Sequence, residues 1–175
     1  MVALLRAVNV GGRKLPMAEL RAHCAALGWR DVATYIQSGN VVFTADGPAA
    51  ELETALEARI AEIYGYAAPT IIRSVEQWAS YAPGNPFPDA ACETPNYLLM
   101  LVSKQPPREG AAEAIQARAT AGELVRQVGN AVWIHFPQGS GTSKITPALI
   151  DKAIGSPATS RNYRTVITLE DMLSR

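Results

Sequence analysis

Two glycine-rich stretches of this chain carry cations beside them. The first is Asn9-Val10-Gly11-Gly12-Arg13-Lys14, between an apolar stretch and a helix start. Glycine leaves backbone N–H groups open to a ligand, and a helix N-terminus adds partial positive charge. Arg13 and Lys14 add full charges, so the chemistry suited here is binding of a phosphate or carboxylate. The second is Gly139-Ser140-Gly141-Thr142-Ser143-Lys144. It is not a P-loop, because the spacing is wrong and Ile145, not Ser or Thr, follows the lysine. A nest of N–H groups with one lysine still fits an anion. Each stretch also has a plainer reading, as a turn or a flexible strand–helix connection with solvated cations.

Arg6 sits within the first apolar stretch, and Arg161, Asn162 and Arg164 precede the last elements. An arginine among apolar residues needs a partner or a route to solvent. For Arg6 the partner is either a helix carboxylate such as Glu19 or an anionic ligand.

Catalysis has little support. His23 and His135 fall on a helix and a strand, with no nearby nucleophile or acid in a recognised pattern. Cys24 and Cys92 form no CxxC pair, which argues against a zinc site or a disulfide framework. Cys24 reads as a buried thiol. Glu51, Glu53, Glu57 and Glu62 read as a solvated helix face. No metal or cofactor is expected. Lys plus Arg (16) balances Asp plus Glu (16), which argues against binding nucleic acid through its phosphates. The aromatics Tyr35, Phe43, Trp133 and Phe136 fall on strands, where they could stack bases; core packing is the simpler account. An apolar run of about 18 residues, enough to cross a membrane, is missing. The opening MVALLRAV lacks the features of a signal peptide, so the cytoplasm is the expected location.

These residues need elements to position them. Val2–Val8 reads as a strand. Met17, Leu20, Cys24 and Leu27 recur at helical spacing after Pro16, with Gly28 as the stop. Val32–Gln37 and Val41–Thr44 flank the hairpin signal Ser38-Gly39-Asn40. Pro48 opens a helix with Leu52, Leu56, Ile60 and Ile63 on one face and Gly65 as its stop. Thr70–Arg73 is a strand, and Ser74 to Gln77 a cap and first helical turn. Pro83 to Pro95 holds too many prolines for a regular element and reads as a linker. The second half repeats the order: strand Tyr97–Val102, helical pattern 107–120, strands Glu123–Val128 and Ala131–Phe136 around Gly129-Asn130, a helix from Thr146-Pro147 to Gly155, strand Thr165–Thr168 and helix Leu169–Leu173.

Turns and apolar runs of the two halves fall at nearly constant separation: Gly39-Asn40 with Gly129-Asn130, LLRAV with LLMLV, and Ser74 to Trp78 with Thr168 to Met172. The expected fold is therefore α+β, two ferredoxin-like βαββαβ lobes related by internal duplication. Residues 1–83 form the first lobe with a short helix, 84–95 the linker, and 96–175 the second lobe with a terminal helix. In such a lobe the first strand–helix loop and the hairpin emerge at the same end. That brings Asn9, Arg13 and Lys14 near Gln37, Ser38 and Asn40. The loop at 139–144 lies at the opposite end of its lobe from that lobe's hairpin. Tyr97–Val102 is apolar throughout, which predicts cover on both sheet faces: the halves pack together, share one sheet, or form a dimer.

Six stretches in order, LLRAVNVGG (4–12), MAELR (17–21), YIQSGNVVF (35–43), NPFP (85–88), GSGTSK (139–144) and RNYRTV (161–166), resemble a bacterial family known as domain of unknown function 1697. The family favours Gly-Ile at Ala7-Val8 and Trp at Tyr163. The resemblance implies the α+β pair of lobes and assigns no activity. The leading expectation is a protein that binds a small anionic, phosphate-bearing ligand. The candidates are Arg6, Asn9, Gly11, Gly12, Arg13, Lys14, Gln37, Ser38, Asn40, Ser140, Gly141, Ser143, Lys144, Arg161 and Asn162. The alternative is an interaction or assembly module without a small-molecule site, monomeric or homodimeric; RNA binding is a third reading.

Overall fold

The computed structural model describes residues 1–174. The chain forms two compact units, one of Met1–Trp78 with the end of the chain from Leu169, the other of Ala79–Thr168. Each holds its own four-stranded antiparallel sheet, so no sheet is shared.

In the first unit the elements are β1 (Val2–Leu5), α1 (Met17–Ala26), β2 (Arg30–Tyr35), β3 (Asn40–Thr44), α2 (Ala49–Tyr64), β4 (Thr70–Arg73) and α3 (Val75–Ala79). The sheet order is β2-β3-β1-β4, as expected for a ferredoxin-like lobe. β1 stops at Leu5, short of the expected Val8, because Ala7 takes φ +55° and turns the chain out of line. Arg6 therefore lies just past the strand rather than inside it. Ala3, Leu5, Val41, Phe43 and Ile72 face Leu20, Cys24, Leu56 and Ile60 of the two helices. Ile63, expected on that face, is 45% exposed. Tyr64, one full i+4 step beyond Ile60, packs there instead.

The glutamates of α2 do not all face solvent. Glu53 is buried and accepts from Ile72 N–H at 2.8 Å, while Glu57 accepts from Thr70 N–H at 2.6 Å. β4 is an edge strand, and an unpaired edge N–H needs a partner. The two carboxylates supply it. At the end of β4, Ser74 Oγ accepts from Gln77 N–H and Gln77 Oε1 from Ser74 N–H, the reciprocal capping box expected for α3.

In the second unit the elements are α4 (Pro88–Glu93), β5 (Leu98–Ser103), α5 (Ala111–Gln116), β6 (Leu124–Val128), β7 (Ala131–His135), α6 (Pro147–Ile154), β8 (Ala158–Asn162) and α7 (Tyr163–Leu173), the last running on past the unit's end. The order β6-β7-β5-β8 repeats that of the first sheet. β5 is buried on both faces except at half-buried Leu99. Two expectations fail here. Residues 85–95 include a helix, α4, because Pro88 stands in its first turn, where its missing N–H costs nothing. The final strand is Ala158–Asn162, and Thr165–Thr168 lies within α7. Asn162 Oδ1 accepts from Thr165 N–H at 2.9 Å and caps that helix, while Val166 and Leu169 bury one side of it. Asn162, not Thr168, thus takes the place that Ser74 holds in the first unit. α5 is also shorter than its pattern. Among the described residues no helix is long and apolar enough to cross a membrane.

Candidate functional site

The first glycine-rich loop and the β2–β3 turn meet in the first unit, as topology requires. Asn9 joins them. Its Oδ1 accepts from Leu15 N–H at 2.7 Å, and its Nδ2 donates to Leu15 C=O at 3.0 Å and to Gln37 C=O at 2.8 Å. The carboxamide thus closes the loop on itself and ties it to the turn. Leu5 N–H donates to Gly39 C=O at 2.8 Å, adding a second tie.

Three of the four non-glycine residues with positive φ among the described residues fall in these two segments; the fourth is Asp31, on β2. Ala7 and Asn9 take φ +55° and Ile36 φ +49°, a region that L-residues avoid and a β-branched residue avoids most. Gly11, Gly12 and Gly39 are also left-handed. At Gly39 glycine is required twice over: its φ is +77°, and a Cβ would sit 2.7 Å from Val8 Cγ2 and 2.9 Å from Leu5 Cβ. Strain persists only where the surroundings enforce it, and it gathers at binding and catalytic sites. Val10 and Ile36, on either side of the Asn9–Gln37 junction, are 56% and 51% exposed.

The candidate residues divide into scaffold and open groups. Asn40 is fully buried and donates to Tyr35 C=O and Ser38 Oγ, both at 2.9 Å, so it shapes the turn. Arg13 reaches Ala7 C=O at 3.4 Å and lies 4.9 Å over the ring of Tyr66. Lys14 and Gln37 are exposed, as are Gly11 and Gly12. Arg6 is half-buried, and its N–H donates to Pro69 C=O. Tyr66 Oη is shielded from solvent and has no hydrogen-bond partner among the described residues. Beyond Tyr66 lies a polar chain that sequence spacing did not reveal. His23 Nε2 lies 3.0 Å from Tyr64 Oη, and Tyr64 Oη donates to Glu19. Burial first, then the Glu19 carboxylate, pushes the Tyr64 phenol up to about 12. Glu19 and His23, one helical turn apart, were the only sequence signal for it.

The second glycine-rich loop is built around a carboxylate. Glu123 is buried and accepts from Ser143 Oγ at 2.5 Å, Thr120 N–H at 2.9 Å and Ala121 N–H at 2.7 Å. The Ser143 hydrogen bond, then those from the backbone, hold its carboxyl down to about 2. Ser143 Oγ also accepts from Ile145 N–H. Its hydroxyl is committed to the loop, and a fixed negative charge beneath the loop opposes an anion. Ser140, Gly141 and Lys144 remain exposed. Arg161 is buried on β8, with Nη1 donating to Thr159 Oγ1 at 2.9 Å and Ser160 C=O at 2.7 Å; burial lowers its guanidinium to about 10. The loop and Asn162 leave from one end of this sheet, since Phe136 N–H donates to Tyr97 C=O and Tyr163 N–H to Pro95 C=O.

The aromatics weighed as a base-stacking surface are mostly core: Trp133, Phe136 and Phe43 are buried, and Phe43 stacks on Trp29 at 3.9 Å. Cys24 is buried, as expected, and Cys92 exposed.

The family model that matches this chain describes a protein of unknown function, DUF1697, and covers residues 1–133. Among solved structures, the chain is similar to the conserved bacterial protein SP0830 from Streptococcus pneumoniae: TM-score 0.71, 24% identity, 98% of this chain and 97% of that one covered. That likeness speaks for the fold. No curated protein matches.

Proposed function

We propose that this chain, which belongs to the DUF1697 family, binds a small anionic ligand, of the phosphate-bearing class, at the β1–α1 loop and β2–β3 turn of its first unit. The observation that carries this reading is the strained backbone at Ala7, Asn9 and Ile36, fixed by the Asn9 carboxamide. A plain turn has no need of three left-handed non-glycine residues. Gly11 and Gly12 offer backbone N–H groups, Lys14 is an exposed cation, and Arg13 over Tyr66 sets a second charge beside them. Gln37 and Ser38 supply polar groups from the turn. Asn9, Gly39 and Asn40 are scaffold.

The loop at 139–144 is assigned no anion, because Glu123 lies beneath it. The repeated strand order supports descent of the two lobes from one duplicated unit; the loop at 139–144 joins β7 to α6 and so corresponds to the β3–α2 connection of the first unit, not to its β1–α1 loop.

A thermal-shift screen with inorganic phosphate, nucleotides and sugar phosphates tests the reading. Stabilisation that Arg13→Ala with Lys14→Ala abolishes supports it. A screen in which no anion raises the melting temperature sinks it. The exposed pair Val10 and Ile36 favours a second reading, a protein-interaction surface at the same loops. On that reading light scattering finds an oligomer that Val10→Ser with Ile36→Ser dissolves.

A further inference from the structure

The segment read as a linker builds a groove of its own. Asn85 Oδ1 accepts from Phe87 N–H at 3.0 Å, and its Nδ2 donates to Phe87 C=O at 3.3 Å. Pro86 and Pro88 fix φ on either side. Phe87 is therefore presented rigidly, with its ring 6.5 Å from the imidazole of His135, centroid to centroid. His135 Nε2 lies 3.1 Å from Thr94 Oγ1. Phe87, Thr94 and His135 line a groove of 320 Å³, with Leu124 and Pro137 as further apolar wall. Asp89 and Glu93, an i,i+4 pair on one face of α4, complete the lining, which among the described residues includes no lysine or arginine.

That lining selects its occupant. The volume suits a small molecule, at the low end of ligand pockets. Two carboxylates without a counter-charge call for a cation. No group of three or more His, Cys, Asp and Glu able to hold a metal ion occurs among the described residues, and the apolar wall of Phe87, Leu124 and Pro137 favours an organic cation over a hydrated ion. An aromatic ring set rigidly beside the acids offers a face for an apolar body or for the cation itself.

We propose that this groove binds a small organic amine, its ammonium group paired with Asp89 and Glu93 and its apolar body against Phe87 beside His135. The site is separate from the anion site of the first unit and stands or falls without it.

The chain has two histidines, so each can be followed singly by NMR after labelling imidazole Cε1. The probe is phenethylamine hydrochloride at constant pH and salt, with phenylacetate as the same ring carrying the opposite charge. The expected result is a saturable shift at His135, none at His23, and none with phenylacetate. With nine non-hydrogen atoms the probe has a dissociation constant of about 1 mM. Asp89→Asn with Glu93→Gln weakens it about tenfold. Both side chains are exposed, and an unchanged circular dichroism spectrum and melting temperature of the double variant check the fold. The proposal is overturned by absence of saturation up to roughly 20 mM, by an equal response to phenylacetate or at both histidines, or by undiminished binding in the double variant.

Discussion

Asn9→Ala is the substitution whose cost the geometry fixes most closely. It removes three hydrogen bonds at once, two to Leu15 and one to Gln37. Leu15 is 0% exposed, so its N–H loses its partner out of reach of water. An orphaned buried donor costs about 1–3 kcal/mol, and each of the other bonds roughly 0.5–1.5 kcal/mol, less at Gln37, where water replaces the amide. Alanine at φ +55° adds about 1 kcal/mol, since asparagine tolerates that region better. The total is about 2.5–6 kcal/mol. Asn9→Gly loses the same bonds but sheds the strain, so it should be milder by about 1 kcal/mol. Urea unfolding followed by circular dichroism and by tryptophan fluorescence reads both. With a slope near 2 kcal/mol per molar, the midpoint falls by roughly 1–3 M for alanine. An alanine variant within about 0.5 kcal/mol of wild type refutes the clamp. A glycine variant less stable than the alanine one refutes the strain.

Gly39→Ala combines a left-handed φ with contacts of 2.7 and 2.9 Å at Val8 and Leu5. A loss of about 2–4 kcal/mol is expected in the same assay. Glu123 has its folded-state pKa depressed from the ordinary 4.5 to about 2, so the stability it contributes is present above about 4.5 and lost as pH falls through about 2. Melting temperatures measured across that window should decline for wild type, and Glu123→Gln should lack that part of the decline. Glu53→Ala leaves Ile72 N–H without its acceptor on an edge strand. It should cost about 1–3 kcal/mol and raise the concentration dependence of light scattering, because an unguarded edge invites strand pairing.

Much of the fold was legible in local chemistry. Pro48 and Gly65 bracket α2, the run Thr70–Arg73 is β4, and Ser74 with Gln77 caps α3, all as read from residue types. What escaped depends on tertiary partners. Thr165 to Thr168 carries the β-branched residues of a strand, yet Asn162 caps a helix there and Val166 with Leu169 buries it. β8 shows little of itself in the sequence, because an edge strand reading Ala-Thr-Ser-Arg-Asn has little apolar signal. Glu53 and Glu57 sit at the spacing of a solvated face; only the sheet edge beside them makes them structural. The joining of the two first-unit loops followed from topology. That Asn9 does the joining, and that Glu123 occupies the second loop, could not be read from spacing, because both act across many residues of chain.

A titration of ¹⁵N-labelled protein with inorganic phosphate reads the N–H groups of the first loop directly. Anion binding there should give saturable shifts at the Gly11 and Gly12 amides, smaller ones at Gln37 and Ser38, and their loss in Lys14→Ala with Arg13→Ala. Unmoved Gly11 and Gly12 resonances, or shifts that rise linearly and survive both substitutions, would contradict it.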